Sequence, residues 1–151
     1  CIRDRVNATF FSALREHEMK MRLARAIQLF MPGIPQIWYL DLFAGRNDYR
    51  AADRGGTGGH KEINRTTLKM EDIEAGLRRI VVHNQLQLIR LRNTSSAFEG
   101  TLTLDDCEEH ELRMTWTNGH AAASLSANLF DYHFDVTHRD DVGGETRLTF
   151  R

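Results

Sequence analysis

Residues 32–40 read Pro-Gly-Ile-Pro-Gln-Ile-Trp-Tyr-Leu, and the fold class predicted from the sequence rests on them. The apolar, aromatic run 34–40 lies between a Pro-Gly breaker and charged residues, which is typical of a short strand buried on both faces, as in parallel sheets. Pro35 is tolerated near the first residue of such a strand. One parallel strand cannot form a sheet alone, so we expect its partner strands upstream of this sequence.

Two helices flank the predicted strand. In residues 16–31 apolar side chains recur every three or four positions, which predicts a helix that ends at Pro32 and Gly33. The same periodicity runs through residues 70–93, with acidic residues at its start and Arg90 and Arg92 near its end. At this length, we expect the second helix to kink near Ile80.

The connection 41–67 has no useful periodicity and contains five glycines, so we expect a long functional loop without regular structure. Its glycine cluster is not a phosphate-binding P-loop, because His60 precedes Lys61 and Glu62 follows it, where that motif needs Gly and Ser or Thr. The glycines therefore predict a flexible loop. The charged and amide side chains that follow can form hydrogen bonds with hydroxyl groups. These residues are His60, Lys61, Glu62, Asn64 and Arg65.

Beyond residues 95–96 the pattern changes to short strand-like runs separated by turn residues, which predicts a small antiparallel sheet. The runs are 102–104, 111–116, 121–129, 132–137 and 146–150. Asn118-Gly119 is the strongest hairpin signal in the chain. We place the boundary of this β region near Phe98.

Composition excludes several classes of protein. Of 151 residues, 41% are hydrophobic and 27% charged, which are globular values, and the net charge of −1 predicts no nucleic-acid or membrane partner. No apolar stretch approaches a bilayer span of roughly 20 residues. Two cysteines give no disulfide framework.

Few side chains look chemically specialised. The seven histidines form no zinc motif, and the row Asp131, His133, Asp135 on one predicted strand face is more typical of a solvated face than of an ion site. Residues 107–110 are most simply a polar turn. No nucleophile stands out, although Asp41 and Asp48 follow the predicted strand, at the end where α/β barrels place active sites.

Two aromatic residues end that predicted strand. Trp38 and Tyr39 can stack on a sugar ring, but core packing is the more common role for aromatics in an apolar strand.

Several segments together resemble a known family. Residues 30–39 resemble a late barrel strand of the alpha-amylase superfamily, glycoside hydrolase family 13. The continuation looks like the sucrose phosphorylase branch, and the resemblance covers about residues 6–100. Its further segments are Ala-Gly-Arg-Asn-Asp at 44–48, Glu-Ile-Asn-Arg at 62–65, Leu-Arg-Asn at 91–93 and Ala-Phe-Glu-Gly at 97–100.

The resemblance implies a fold: residues 6–96 would be the last part of a (β/α)₈ TIM barrel (helix 7, strand 8 and helix 8), and residues 97–151 a truncated antiparallel β domain. Residues 1–5 depart from the family and look like translated adapter sequence, whereas residues 6–11 fit its acceptor-side loop. Residues 6–95 should fold poorly in isolation, because their apolar faces would lack partners.

The resemblance also implies an activity. The parent would be a cytoplasmic, retaining phosphorylase that transfers glucosyl from sucrose or a related α-glucoside to inorganic phosphate, its co-substrate, without a cofactor. Its catalytic carboxylates belong to earlier strands, so this sequence holds none and should be inactive alone. Its partners would be a small carbohydrate and phosphate, and a homodimer is compatible with the sequence. The alternatives are an amylase-type hydrolase fragment and a non-catalytic, carbohydrate-associated β module.

Lys61 departs from the family pattern. Sucrose phosphorylases resemble one another in G-R-[DE]-I-N-R, whose first Arg helps hold the glucosyl unit, and Lys61 stands at that position. Lysine keeps the charge but loses the planar fork, which makes donors other than sucrose candidates: glucosylglycerate, glucosylglycerol and sucrose 6-phosphate. The implied substrate-binding residues are Asp48, His60, Lys61, Asn64 and Arg65.

Overall fold

A computed structural model of the chain describes residues 7–150. The expectation that residues 1–5 are not native lies outside the described residues. The helices are α1 (Phe10–Ala13), α2 (Glu18–Phe30), α3 (Tyr39–Leu42), α4 (Tyr49–Arg54), α5 (Met70–Leu77) and α6 (Ile80–Thr94), with 3₁₀ helices at Gly59–Asn64 and Ser96–Glu99. The strands are β1 (Thr101–Leu104), β2 (Glu111–Asn118), β3 (Ala121–Asn128), β4 (Phe134–Arg139) and β5 (Glu145–Phe150).

The chain packs into two compact units. Residues 7–21 and 36–83 form the first unit, and residues 22–35 and 84–150 form the second. Helices α2 and α6 each contribute residues to both units. The boundary between a barrel part and a β domain at residues 96–97 stays a prediction.

The two predicted helices are present. Helix α2 ends just before Pro32 and Gly33, and Gly33 adopts a φ of 101° that favours glycine. The second predicted helix is divided into α5 and α6 by Arg78 and Arg79, so the kink expected near Ile80 is a complete break. None of the helices in residues 7–150 is long and apolar enough to cross a membrane.

Residues 34–38 form no strand within the described part of the chain, and Tyr39 and Leu40 lie in α3 instead. Ile34 is 98% exposed, and Trp38 begins α3 as its N-terminal cap. A strand needs a neighbour for its backbone N–H and C=O groups. All five strands within residues 7–150 pair antiparallel with one another, which leaves no parallel neighbour for residues 34–40 in this part of the chain.

The connection 41–67 was expected to lack regular structure, and this expectation is also wrong. It contains the end of α3, all of α4 and the Gly59–Asn64 3₁₀ helix. Helices this short escape periodicity analysis, because fewer than two turns show no repeat of apolar residues.

The predicted antiparallel sheet is present, with strand order β1-β2-β3-β4-β5. The expected hairpin joins β2 to β3, where Asn118 pairs with Ala121 and Gly119 has a φ of 58°. Paired residues form rows of side chains that run across the five strands. Neighbouring rows differ in polarity because side chains alternate between the two faces of the sheet. One row is Leu104, Met114, Leu125, Val136 and Leu148; the next is Thr103, Thr115, Ser124, Thr137 and Arg147.

An aromatic cluster forms part of the core of the second unit. The Trp116 indole N–H donates a buried hydrogen bond of 2.7 Å to the carbonyl oxygen of Phe30, the last residue of α2. The Phe98 ring lies 5.2 Å from the Phe30 ring and 5.9 Å from the Trp116 ring. The Arg92 guanidinium lies over the Phe98 ring at 4.5 Å, and burial lowers the pKa of Arg92 from its ordinary value.

We expect Trp116→Phe to lower the free energy of unfolding by about 1–3 kcal/mol, because the buried Phe30 carbonyl would lose its donor. Urea unfolding of the chain, followed by far-ultraviolet circular dichroism, measures the change. Trp38→Phe is the matched control, since the Trp38 indole donates at 3.0 Å to the Asn64 carbonyl at an exposed position, where water can replace it. If Trp116→Phe and Trp38→Phe lost the same free energy of unfolding, burial would not explain the contribution of the Trp116 hydrogen bond to stability.

Candidate functional site

The first unit contains a cleft of about 870 Å³ with a mixed apolar and charged lining. The apolar wall comes from α1, from the segment after α3 and from α5, whereas charged side chains line the rest. The lining residues are Phe11, Glu16, Glu18, Leu40, Phe43, Ala44, Gly45, Arg46, Asn47, Asp48, Thr66, Leu68, Asp72, Ala75, Gly76 and Arg79.

Asp48 is the one predicted binding residue that lines this cleft among residues 7–150. Its Oδ1 accepts a hydrogen bond of 2.9 Å from the Ala51 N–H, which caps α4. Its own backbone N–H donates to the Ile63 carbonyl oxygen at 2.8 Å. Asp48 is thus fixed between α4 and the 3₁₀ helix that carries three other candidates.

The glycine cluster makes this packing possible. Gly58 is the N-terminal cap of the Gly59–Asn64 3₁₀ helix, and its φ of 100° lies in the left-handed region that favours glycine. Gly59 is buried so closely against α4 that a Cβ atom there would lie 2.1 Å from the Ala52 carbonyl oxygen. Gly59 therefore allows two short helices to pack together, while Gly55, Gly56 and Gly58 lie in the connection between them, where the sequence predicted a loop.

The structure places the other four predicted binding residues on or just after this 3₁₀ helix. His60 and Lys61 are exposed, and Asn64 is half-buried. Arg65 is exposed, and its guanidinium lies 3.7 Å from the Glu62 carboxylate. An ion pair at the surface such as this one contributes little to stability. None of these four lines the cleft. The backbone bond between Asp48 and Ile63 nonetheless joins their helix to a cleft residue.

The two aromatics before α3 lie at the surface of the unit. Trp38 is 47% exposed and Tyr39 is 40% exposed, so neither ring packs in the core of the first unit, in contrast to the prediction. The Trp38 indole donates to the Asn64 carbonyl, and the Tyr39 hydroxyl donates to the Thr66 carbonyl at 2.7 Å. Both side chains therefore hydrogen-bond to the backbone at or just after the end of the 3₁₀ helix that carries Lys61.

The sequence-based predictions did not include two residues of the cleft whose side chains form hydrogen bonds with distant parts of the first unit. Arg79 donates to the Phe43 carbonyl oxygen and to the Glu18 carboxylate, each at 2.8 Å. Asn47 accepts a hydrogen bond of 2.7 Å from the Thr9 N–H. For Asn47 a signal was available, because it lies inside the Ala-Gly-Arg-Asn-Asp segment at 44–48.

The second unit contains the residues considered for an ion site. Asp131 and His133 precede β4, so they do not form the predicted row on one strand with Asp135. The His133 N–H donates to the Asp131 carboxylate at 3.0 Å, which holds the pKa of Asp131 below its ordinary value. Asp135 pairs with Arg147 at 2.6 Å. Within residues 7–150 no three acidic, His or Cys side chains are arranged to hold a metal.

Residues 107–110 lie in an exposed connection between β1 and β2, which agrees with the polar turn predicted for them. Cys107 is exposed and carries a free thiol.

We expect Gly59→Ala to destabilise the chain by about 1–3 kcal/mol, since the added methyl group would push the 3₁₀ helix away from α4. Thermal unfolding measures the loss. Gly56→Asn is the matched control, because Gly56 has a φ of 55° that asparagine tolerates and open space around it. If both variants unfold at the wild-type temperature, the contact with Ala52 is not tight in solution.

Comparisons with known proteins match most of the chain. It is 56% identical over 95% of its length to a sucrose 6(F)-phosphate phosphorylase of Ilumatobacter coccineus. It is 34% identical over 94% of its length to a glucosylglycerol phosphorylase of Marinobacter adhaerens. No family model matches the chain.

A solved structure agrees with these matches. The crystal structure of sucrose 6F-phosphate phosphorylase from Thermoanaerobacter thermosaccharolyticum superimposes on 97% of the chain with a TM-score of 0.89 and 36% sequence identity. The chain covers 29% of that protein, and it spans 27% of the length of the Ilumatobacter relative. The chain therefore belongs to the sucrose phosphorylase branch of the alpha-amylase superfamily and corresponds to the C-terminal region of those enzymes.

Proposed function

We propose that the chain is the C-terminal part of a retaining glucosyl-transferring disaccharide phosphorylase that releases α-glucose 1-phosphate. The observation that carries this proposal is the 56% identity, over 95% of the chain, to a sucrose 6(F)-phosphate phosphorylase. A second relative of that name is 37% identical over 94% of the chain. We therefore favour sucrose 6(F)-phosphate as the donor.

The barrel is part of this proposal. We propose that the helical part of the chain completes a (β/α)₈ barrel whose other strands lie in the upstream part of the parent. In support, several large apolar side chains of the first unit are exposed and available to pack against an upstream part of the parent. Those with more than two-fifths of their surface exposed are Trp38, Tyr49, Met70, Leu77 and Ile80.

The proposed reaction has two displacements. An upstream carboxylate attacks the anomeric carbon while an upstream carboxylic acid protonates the leaving oxygen, so the glycosidic bond breaks and the second sugar departs. Inorganic phosphate then takes the glucosyl unit from the enzyme carboxylate, and no cofactor is needed. In this scheme the residues of this chain bind and orient the donor.

The binding role is assigned to polar groups fixed by the fold. The Asp48 carboxylate lines the cleft, where it can accept hydrogen bonds from sugar hydroxyls. Lys61 supplies a positive charge from an exposed position on the 3₁₀ helix. His60 follows Gly59 in the first turn of that helix, Asn64 is its last residue and Arg65 is its C-terminal cap. We propose that all five contact the donor when the upstream part is present.

The first test uses the complete parent enzyme, expressed from its full reading frame. It is incubated with phosphate and, separately, with sucrose, sucrose 6(F)-phosphate, glucosylglycerol and glucosylglycerate. We expect glucose 1-phosphate with sucrose 6(F)-phosphate as the preferred donor, and no product from the 151-residue chain alone. Release of free glucose at the same rate without phosphate would instead identify an amylase-type hydrolase.

Lys61 gives a second test in the parent enzyme. We expect Lys61→Ala to lower kcat/KM for the preferred donor about 10- to 100-fold, the range for losing a hydrogen bond to a charged group. We expect Lys61→Arg to shift the ratio of kcat/KM values towards sucrose, because a guanidinium presents a planar fork. Lys69→Ala is the control, since Lys69 is an exposed lysine of the same unit. Unchanged donor kinetics in both Lys61 variants would exclude Lys61 from binding.

A further inference from the structure

Asn47 connects separate segments of the first unit. Its side-chain Oδ1 accepts a hydrogen bond of 2.7 Å from the Thr9 N–H, and its side-chain amide donates at 3.2 Å to the Tyr49 hydroxyl. Its backbone N–H donates at 3.0 Å to the Ser12 hydroxyl oxygen. One residue therefore fixes the segment before α4 to both ends of the first turn of α1.

These bonds satisfy groups that α1 cannot satisfy itself. The first N–H groups of a helix have no partner within the helix. Here the Thr9 N–H reaches Asn47, the Phe10 N–H donates at 2.7 Å to Asp41 Oδ1, and the Ser12 N–H donates to the Thr9 hydroxyl oxygen. Because Thr9 is fully buried, water cannot replace Asn47 at its N–H.

The same segment continues to the candidate binding residues. Asp48 follows Asn47 directly, and the Asp48 N–H donates to the Ile63 carbonyl oxygen at 2.8 Å. Ile63 lies in the 3₁₀ helix between Lys61 and Asn64. Hydrogen bonds therefore connect α1 to Asn47 and Asp48 to the helix that carries Lys61, and the peptide bond between Asn47 and Asp48 joins the two sets.

We propose that Asn47 is a positioning residue for donor binding: it holds Asp48, and through Asp48 the 3₁₀ helix with Lys61, at a fixed distance from α1. This inference rests on the proposed function for the assignment of Asp48 and Lys61 to the donor. Asn47 acts through these residues and takes no part in the chemical step. Positioning of this kind matters because a misplacement of about 1 Å can cost on the order of a hundredfold in rate.

The kinetic test compares Asn47→Ala with Asn47→Asp in the full-length parent enzyme. Alanine removes the acceptor for the Thr9 N–H, whereas aspartate keeps an oxygen at that place and can accept from the Tyr49 hydroxyl. We expect Asn47→Ala to lower kcat/KM for the donor about 10- to 100-fold, mainly through a raised donor KM, with the KM for phosphate nearly unchanged. We expect Asn47→Asp to restore most of the loss.

Asn128→Ala is the matched control. Asn128 Oδ1 accepts a hydrogen bond of 2.8 Å from the Phe130 N–H, so this variant also loses a side-chain acceptor for a backbone amide, but in the second unit. We expect it to change stability without changing the donor KM. An unchanged donor KM in Asn47→Ala, or equal losses in Asn47→Ala and Asn47→Asp, would overturn the proposal.

Amide hydrogen exchange separates this inference from the proposed function, because it does not depend on activity. In the parent enzyme with Asn47→Ala, the amides of Thr9 and of Asp48 should both exchange faster than in the wild type. Faster exchange at Thr9 alone would overturn the inference, because it would show that Asp48 is held independently. If the wild type releases free glucose without needing phosphate, the proposed function fails, while the exchange result still decides the role of Asn47.

Discussion

Buried backbone N–H groups at the start of α1 are the constraint on which the first unit depends. A helix of four residues offers little internal hydrogen bonding, so its amides need partners from elsewhere. Asp41 and Asn47 supply them from 31 and 38 residues away along the chain. These two bonds place the end of α3 and the start of α4 beside α1, and the cleft with Asp48 is built around that contact.

The second unit follows a different constraint, the alternation of side chains across its sheet. A residue such as Met114 lies in a row of apolar side chains, while Thr115 next to it lies in a row of polar ones, and this difference specifies the register of every strand pair. A slip of one residue would move the apolar row to the wrong face. The Trp116 bond to the Phe30 carbonyl then fixes the end of α2 against one face of the sheet.

Sequence patterns predicted this unit well because its elements are long enough to repeat. The hairpin at Asn118-Gly119 and the strands around it follow from period-two alternation, and α2 follows from its apolar stripe. The short helices of residues 39–64 carry no repeat and were missed. The strand predicted for 34–40 does not form among the described residues, because composition indicates only a preference, whereas a strand also needs a paired neighbour.

The candidate site shows the same division between local and tertiary information. Local composition indicated Lys61, in the polar cluster after the glycines, whereas Asp48 was indicated by its place after the predicted strand and by the family resemblance. Asn47 lies in the family-like segment 44–48, but its bond to Thr9, 38 residues away along the chain, is not encoded in any local pattern. Gly59 was misjudged for a related reason: glycine permits flexibility, but it also permits two backbones to approach more closely than any Cβ atom allows. The packing of the 3₁₀ helix against α4, rather than the glycine content of the segment, therefore decides where Lys61 is presented.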